Sequence, residues 1–133
     1  MKSRGSCLCG EVAFEFTGDF QKFFLCHCEY CRKGSGSAHG ANLFGRGGEL
    51  LWLRGKDSVS AFALPNTQHQ RSFCSVCGSA LPYILSSKDV VVVPAGSLDG
   101  DVALMPQAHL FTGSKANWDN ALEAIQCFAG FPN

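Results

Sequence analysis

A mainly β chain of small antiparallel sheets with little helix is what the sequence predicts, and three observations predict it. Short runs rich in β-branched and aromatic residues recur about every 8–12 residues, with Gly, Pro, Asn or Asp beside most of them. Helical periodicity is scarce. Seven of the eight cysteines fall into three tight groups, Cys7/Cys9, Cys26/Cys28/Cys31 and Cys74/Cys77, spaced as metal chelates rather than as bridged pairs.

The first strand candidate is "EVAFEFTG", where Val12, Phe14 and Phe16 alternate with Glu11, Ala13 and Glu15 and Gly18 ends the run. That pattern predicts a half-buried strand. The runs "AHGANLF", "LLWLRG", "SVSAFAL", "HQRSFC", "ALPYIL", "VVVVPAG" and "QAHLFTG" follow as further short strands. Between Gly34 and Gly48 lie six glycines in fifteen residues, which predicts a mobile loop flanking a short strand. Their spacing fits neither the Walker nor the Rossmann phosphate cradle. Only "NWDNALEAIQCF" carries a helical pattern, about two turns with Asp119 or Asn120 as N-cap, stopped by Gly130 and Pro132.

At 133 residues the chain is expected to form one domain spanning 1–133, large enough for a genuine core. Eleven basic residues balance eleven acidic ones, so no field draws the chain to nucleic acid or an anionic membrane. No apolar segment follows the basic residues of "MKSRGSCLCG", and the longest aliphatic run is Val90 to Val93, far short of the ~20 residues of a span. A cytoplasmic location is expected. In a reducing compartment, a thiol content this high points to metal binding or catalysis rather than disulfides.

Seven thiolates divide as four plus three: a closed site, and a site with one position left open. Joining Cys7/Cys9 to Cys74/Cys77 uses every short chelate whole and leaves the triple cluster by itself. The rival division moves one N-terminal cysteine into the triple cluster and leaves the other groups incomplete. Spacing alone does not choose between them; keeping each short chelate whole favours the first.

The segments "GSCLCGEVAFEF", "CHCEYCRKGSGSA", "RSFCSVCGSAL", "VPAGSLD" and "PQAHLF…KANW" occur in the order seen in the glutathione-dependent formaldehyde-activating enzyme family. That family includes the C-terminal domain of centromere protein V. The resemblance runs from Gly5 to about Trp118. It implies a β-tent fold, a structural zinc on Cys7, Cys9, Cys74 and Cys77, and a second zinc on Cys26, Cys28 and Cys31. Three thiolates hold metal less firmly than four, so the second site is expected to be under-occupied. The implied activity is a zinc-dependent carbon–sulfur lyase handling a small thiol adduct such as S-hydroxymethylglutathione. Its partner would then be a small thiol such as glutathione. The alternative is a non-catalytic, zinc-stabilised binding module of the centromere protein V type.

Other residues carry weaker expectations. His27, between two ligands, is expected to point away from the metal. A closed triple site would need His27, His39 or a water as fourth ligand. Arg32 and Lys33 either meet the carboxylate of an anionic thiol or stay solvated. Arg71 either reaches the site or forms a salt bridge on its strand face. His109 and Trp118 are read as core packing, Asp99 as a turn residue, and Cys127 as a buried apolar side chain.

Overall fold

The computed structural model describes residues 1–85, 87 and 89–132. Eleven strands lie in three small sheets among these residues, with one α-helix and a few single 3₁₀ turns. The first sheet holds β1 (Lys2–Ser6), β2 (Ala13–Thr17) and β5 (Glu49–Arg54), with β2 in the middle. The second places β11 (Ala108–Leu110), β3 (Lys22–Cys26), β4 (Gly40–Arg46), β10 (Val90–Pro94) and β9 (Tyr83–Leu85) side by side. The third contains β6 (Val59–Ala63), β7 (Gln70–Cys74) and β8 (Ala80–Leu81). Every pairing is antiparallel except β11 with β3, which run parallel.

Predicted and observed strands coincide in most places, and the differences have physical causes. β2 is buried on both faces rather than one, because Glu15 and Ala13 are covered as well as Val12, Phe14 and Phe16. The Glu15 carboxylate is held there by Arg4 Nε at 2.8 Å and Lys2 Nζ at 3.5 Å. Those ion pairs, with the ladder to β2, also explain β1, a polar segment with no apolar alternation to announce it. The run "ALPYIL" is not one strand. Fully buried Pro82, which has no N–H to give a ladder, marks the step where the chain leaves the third sheet and enters the second.

The core gathers Val12, Phe14, Phe16, Phe23, Leu43, Leu81, Val91 and Val93 together with Cys7 and Cys74. Phe16 stacks on Phe20 with ring centroids 4.7 Å apart, and Phe14 meets Trp52 edge-on at 6.1 Å. The glycine-rich stretch is shaped by this core. Gly45 lies within β4 and Gly48 just before β5, and a methyl at either position would overlap the Phe16 ring. The glycines there leave room for an aromatic side chain; they do not mark a loose loop along the whole stretch.

The C-terminal helix does not form. Ala121 takes a left-handed conformation (φ 50°, ψ 39°), and only a 3₁₀ turn follows at Leu122–Ala124. Residues 121–132 are exposed throughout, including Leu122, Ile125, Phe128 and Phe131. A helix this short needs its apolar face covered, and none of that face is. Exposed as well are Trp118 at 57% and Cys127, so neither packs in the core as expected.

Two outcomes test this account of the core. Gly45→Ala forces a methyl against a ring that cannot move, so it should cost about 1–3 kcal/mol and lower the melting temperature by about 3–12 °C. Glu15→Gln tests the buried carboxylate. Arg4, against the opposing effect of burial, holds its pKa below the ordinary 4.5. Its stabilisation is therefore present above that value and lost as pH falls through the lower, folded-state pKa. Melts of Glu15→Gln should fall below wild type at pH 7, and the gap should close in acid.

Candidate metal and thiol site

Four sulfurs converge from two distant hairpins. Cys7 and Cys9 lie on the turn between β1 and β2, which closes through Gly10 N–H to Cys7 O (3.2 Å) and Cys7 N–H to Val12 O (3.0 Å). Cys74 ends β7, and the chain then turns through Cys77, with Gly78 at φ 78° donating its N–H to Cys74 O at 2.7 Å. Ser79 clasps the two turns together. Its Oγ accepts from the Leu8 N–H at 3.0 Å and lies 3.2 Å from Cys77 Sγ.

All four Sγ atoms lie within 4.8 Å of one another. Cys7 Sγ is 3.6 Å from Cys9 Sγ, which is 3.9 Å from Cys74 Sγ. These distances are far too long for S–S bonds, and all the cysteines are free. A tetrahedral zinc with Zn–S bonds of about 2.3 Å has sulfur–sulfur edges of about 3.8 Å. The donor set and the spacing both fit that ion. Hydrogen bonds from Ser79 lower the Cys77 pKa to about 5, and the Val12 N–H reaches Cys7 Sγ at 3.2 Å. Cys9 goes the other way, since, against the Glu11 amide, burial and the neighbouring thiols raise it to about 12.

The second group is built from a strand end and a helix start. Cys26 is the last residue of β3, and Cys28 caps α1 (Glu29–Ser35). Cys28 Sγ accepts the Cys31 N–H at 3.3 Å, replacing the hydroxyl or carboxylate usual at that position. Glu29 in the first turn, Arg32 and Lys33 in the last, and Gly36 at φ 69° complete the helix. None of its residues is buried, so no apolar periodicity announced it. Cys26, Cys28 and Cys31 bring their sulfurs within 4.8 Å of one another. Among the described residues no histidine, cysteine or carboxylate stands with them as a fourth ligand. Burial raises the Cys26 and Cys31 pKa values. Cys28 is lowered: burial opposes this, but the amide of Cys31 and the neighbouring thiols prevail.

His27 points away from the sulfurs, as expected, but it is neither idle nor at the surface. Its side chain is 1% exposed, and its Nε2 is 2.8 Å from His109 Nδ1. Asp119 Oδ2 lies 3.2 Å from His27 Nδ1, out of line for a hydrogen bond. The His27 N–H also donates to Leu110 O at 2.8 Å. Burial first, then His39, lowers the His27 pKa and keeps the ring neutral. His109 is thus a surface partner of a buried ring rather than core, and together the two fasten the loop between Cys26 and Cys28 to β11.

A cleft of about 130 Å³ opens beside Cys31, walled by Gly40 and Asn42 of β4, by His69, Arg71 and Ser72 in and beside β7, and by Tyr83 of β9. Arg71 reaches it, 5.1 Å above the Phe73 ring, and among the described residues no carboxylate pairs with it. Arg32 and Lys33 are not among the residues lining this cleft. Burial, followed by the charges of Cys31 and Cys26, pushes the Tyr83 phenol up to about 12, so it remains a neutral donor. Sequence reasoning passed over Tyr83, His69 and Asn42, which come together only when β4, β7 and β9 meet. Asp99 does more than turn the chain: its Oδ1 accepts from Ser6 Oγ at 2.7 Å and its N–H donates to Arg4 O at 2.9 Å.

Small antiparallel sheets, a four-sulfur group and a three-sulfur group beside a cleft define a β protein of the thiolate metal-site class. The chain belongs to the glutathione-dependent formaldehyde-activating enzyme family, whose profile matches residues 2–114. A crystal structure of a Rhodobacter sphaeroides protein is similar in fold, with a TM-score of 0.60 at 20% identity, covering 80% of this chain and 98% of that one. A comparison with curated proteins finds no match. Among the described residues no helix is long and apolar enough to cross a membrane.

The two groups should differ in what their loss does. Structural zinc sites in small peptides contribute about 10–16 kcal/mol, as much as the ~5–15 kcal/mol stability of a whole domain. Cys74→Ser should give insoluble or poorly folded protein. Cys31→Ser should keep the fold, because His27, His109 and Leu110 hold its loop from the other side, and should lower zinc content by up to one per chain. Paired thermal melts and elemental analysis check both; the opposite pattern would reverse the roles of the two groups.

Proposed function

We propose that the protein is a zinc-dependent carbon–sulfur lyase that joins a small thiol to an aldehyde and cleaves the adduct. In this reading Cys7, Cys9, Cys74 and Cys77 hold a structural zinc. Cys26, Cys28 and Cys31 hold a second zinc whose fourth position takes the substrate thiol. One observation carries the proposal: the three-sulfur group has no fourth protein ligand among the described residues and borders an accessible cleft. Family membership supports it.

Bound zinc keeps a coordinated thiol deprotonated at neutral pH and so supplies a sulfur nucleophile without a separate base. The chain's own residues do the rest. Cys28, capping α1, and Cys26, at the end of β3, would hold the zinc together with Cys31. The His27–His109 contact fixes the loop between Cys26 and Cys28 against β11. As the sulfur adds to the aldehyde carbon, the C–S bond forms and the carbonyl π pair moves to oxygen, which takes up one proton. Tyr83, a neutral phenol in the cleft wall, would donate to that oxygen. The reverse direction breaks the C–S bond and returns thiol and aldehyde.

The binding-module reading retains one specific observation, the exposed apolar arm with Trp118, Ile125, Phe128 and Phe131. Exchange NMR separates the two. The zinc-loaded protein should speed equilibration of formaldehyde and a small thiol with the S-hydroxymethyl adduct in both directions, and Cys31→Ser should remove the enhancement. No enhancement with any small thiol, at full occupancy of the three-sulfur group, would leave the module reading.

A further inference from the structure

The cleft beside Cys31 also limits what kind of thiol it accepts. We propose that its ligand is a compact thiol of roughly six or seven non-hydrogen atoms bearing one carboxylate, with Arg71 as the carboxylate's partner. This rests on the reading of the three-sulfur group as an open thiol site.

Size is the first ground. A cavity of about 150 Å³ just encloses a benzene, a molecule of about six non-hydrogen atoms. The cleft here is about 130 Å³. A tripeptide thiol of about twenty non-hydrogen atoms would therefore leave most of itself outside, its binding energy unspent.

Charge is the second ground. Arg71 is the cleft's one guanidinium, and no aspartate or glutamate lines the walls. A carboxylate entering the cleft finds a partner, whereas an ammonium group finds none. Glutathione carries two carboxylates and an ammonium, and the single guanidinium of the cleft can pair with only one of these three charges.

Pre-organisation is the third. Arg71 and Phe73 lie two residues apart on β7 and therefore on the same face, and the guanidinium rests over the ring at 5.1 Å. On its other side the stem passes Gly34 of α1, where an added methyl would sit 3.5 Å from Arg71 Cδ. The side chain is thus braced by a ring and a helix. Among the described residues, no hydrogen bond or ion pair uses its planar fork of donors. A fork held this way matches a carboxylate two atoms wide. Asn42, Gln70 and Ser72 add neutral polar groups along the same walls.

Cobalt(II)-loaded protein gives a test whose readout is not activity, because sulfur-to-cobalt charge-transfer bands shift when a fourth sulfur binds. Four thiols are titrated: 3-mercaptopropionate, its neutral analogue 2-mercaptoethanol, the cationic cysteamine, and glutathione. The expected result is that 3-mercaptopropionate binds at least about tenfold more tightly than either analogue, with glutathione no tighter. Arg71→Gln should bring the acid to within about twofold of the neutral thiol, while Arg71→Lys keeps part of the preference. The spectrum before any thiol is added reports whether each variant's metal site is intact. If glutathione binds tightest, or if the wild type fails to favour the acid, this inference is overturned while the open thiol site stands. If no thiol shifts the bands of the three-sulfur group, both readings fall together.

Discussion

Everything in this molecule depends on four sulfurs held at the spacing of a tetrahedron. The three sheets have three, five and three strands, and sheets this small need an apolar face covered to be stable. Cys7 and Cys9 lie on the β1–β2 hairpin of the first sheet and Cys74 and Cys77 on the β7–β8 hairpin of the third, so the sulfur group ties these two sheets at one point. The cysteines are part of the core as well, since Cys7 and Cys74 are buried among Phe14, Leu81 and Val12. The arrangement makes the apolar core and the thiolate cage one construction rather than two.

That joint role explains how the rest of the chain is distributed. Phe16 fills the space under β4 only because Gly45 and Gly48 give way, and this lets β4 and β5 leave the same turn for different sheets. Pro82 makes a comparable switch later, passing the chain from β8 to β9. Both switches lead to the cleft. β4 supplies Asn42, β9 supplies Tyr83, and β7, fixed by Cys74 at its end, supplies Arg71. The four-sulfur group therefore positions residues of the cleft beside Cys31 without touching it.

The sequence was legible where chemistry is local and opaque where it is assembled. Chelate spacing grouped the seven cysteines, and keeping each short chelate whole, with the family resemblance, chose the two sets that the structure brings together. Strands with alternating or β-branched runs were equally plain. β1, β3 and α1 were not: β1 is held by ion pairs to Glu15 and α1 by a thiol cap, neither of which leaves a periodic trace, and β3 (Lys22–Cys26) is a short run ending in a metal chelate rather than a turn signal. The C-terminal arm misled in the opposite direction: Leu122, Ile125 and Phe128 are spaced for a helix, but no surface covers them. His27 and His109 were out of reach, since 82 residues separate them and a parallel pairing brings them together.

The separation of Cys9 from Cys74 by 65 residues also sets a clock on the ribosome. At about 5–20 residues per second, Cys7 and Cys9 wait about 3 to 13 s for the second hairpin to be made. Cys26, Cys28 and Cys31 are all translated within that interval, and their local chelate can close first. The nascent chain thus carries a complete trio and an orphaned pair at the same moment. In the folded protein Ser79 contacts both Leu8 and Cys77, holding the early pair beside the late one.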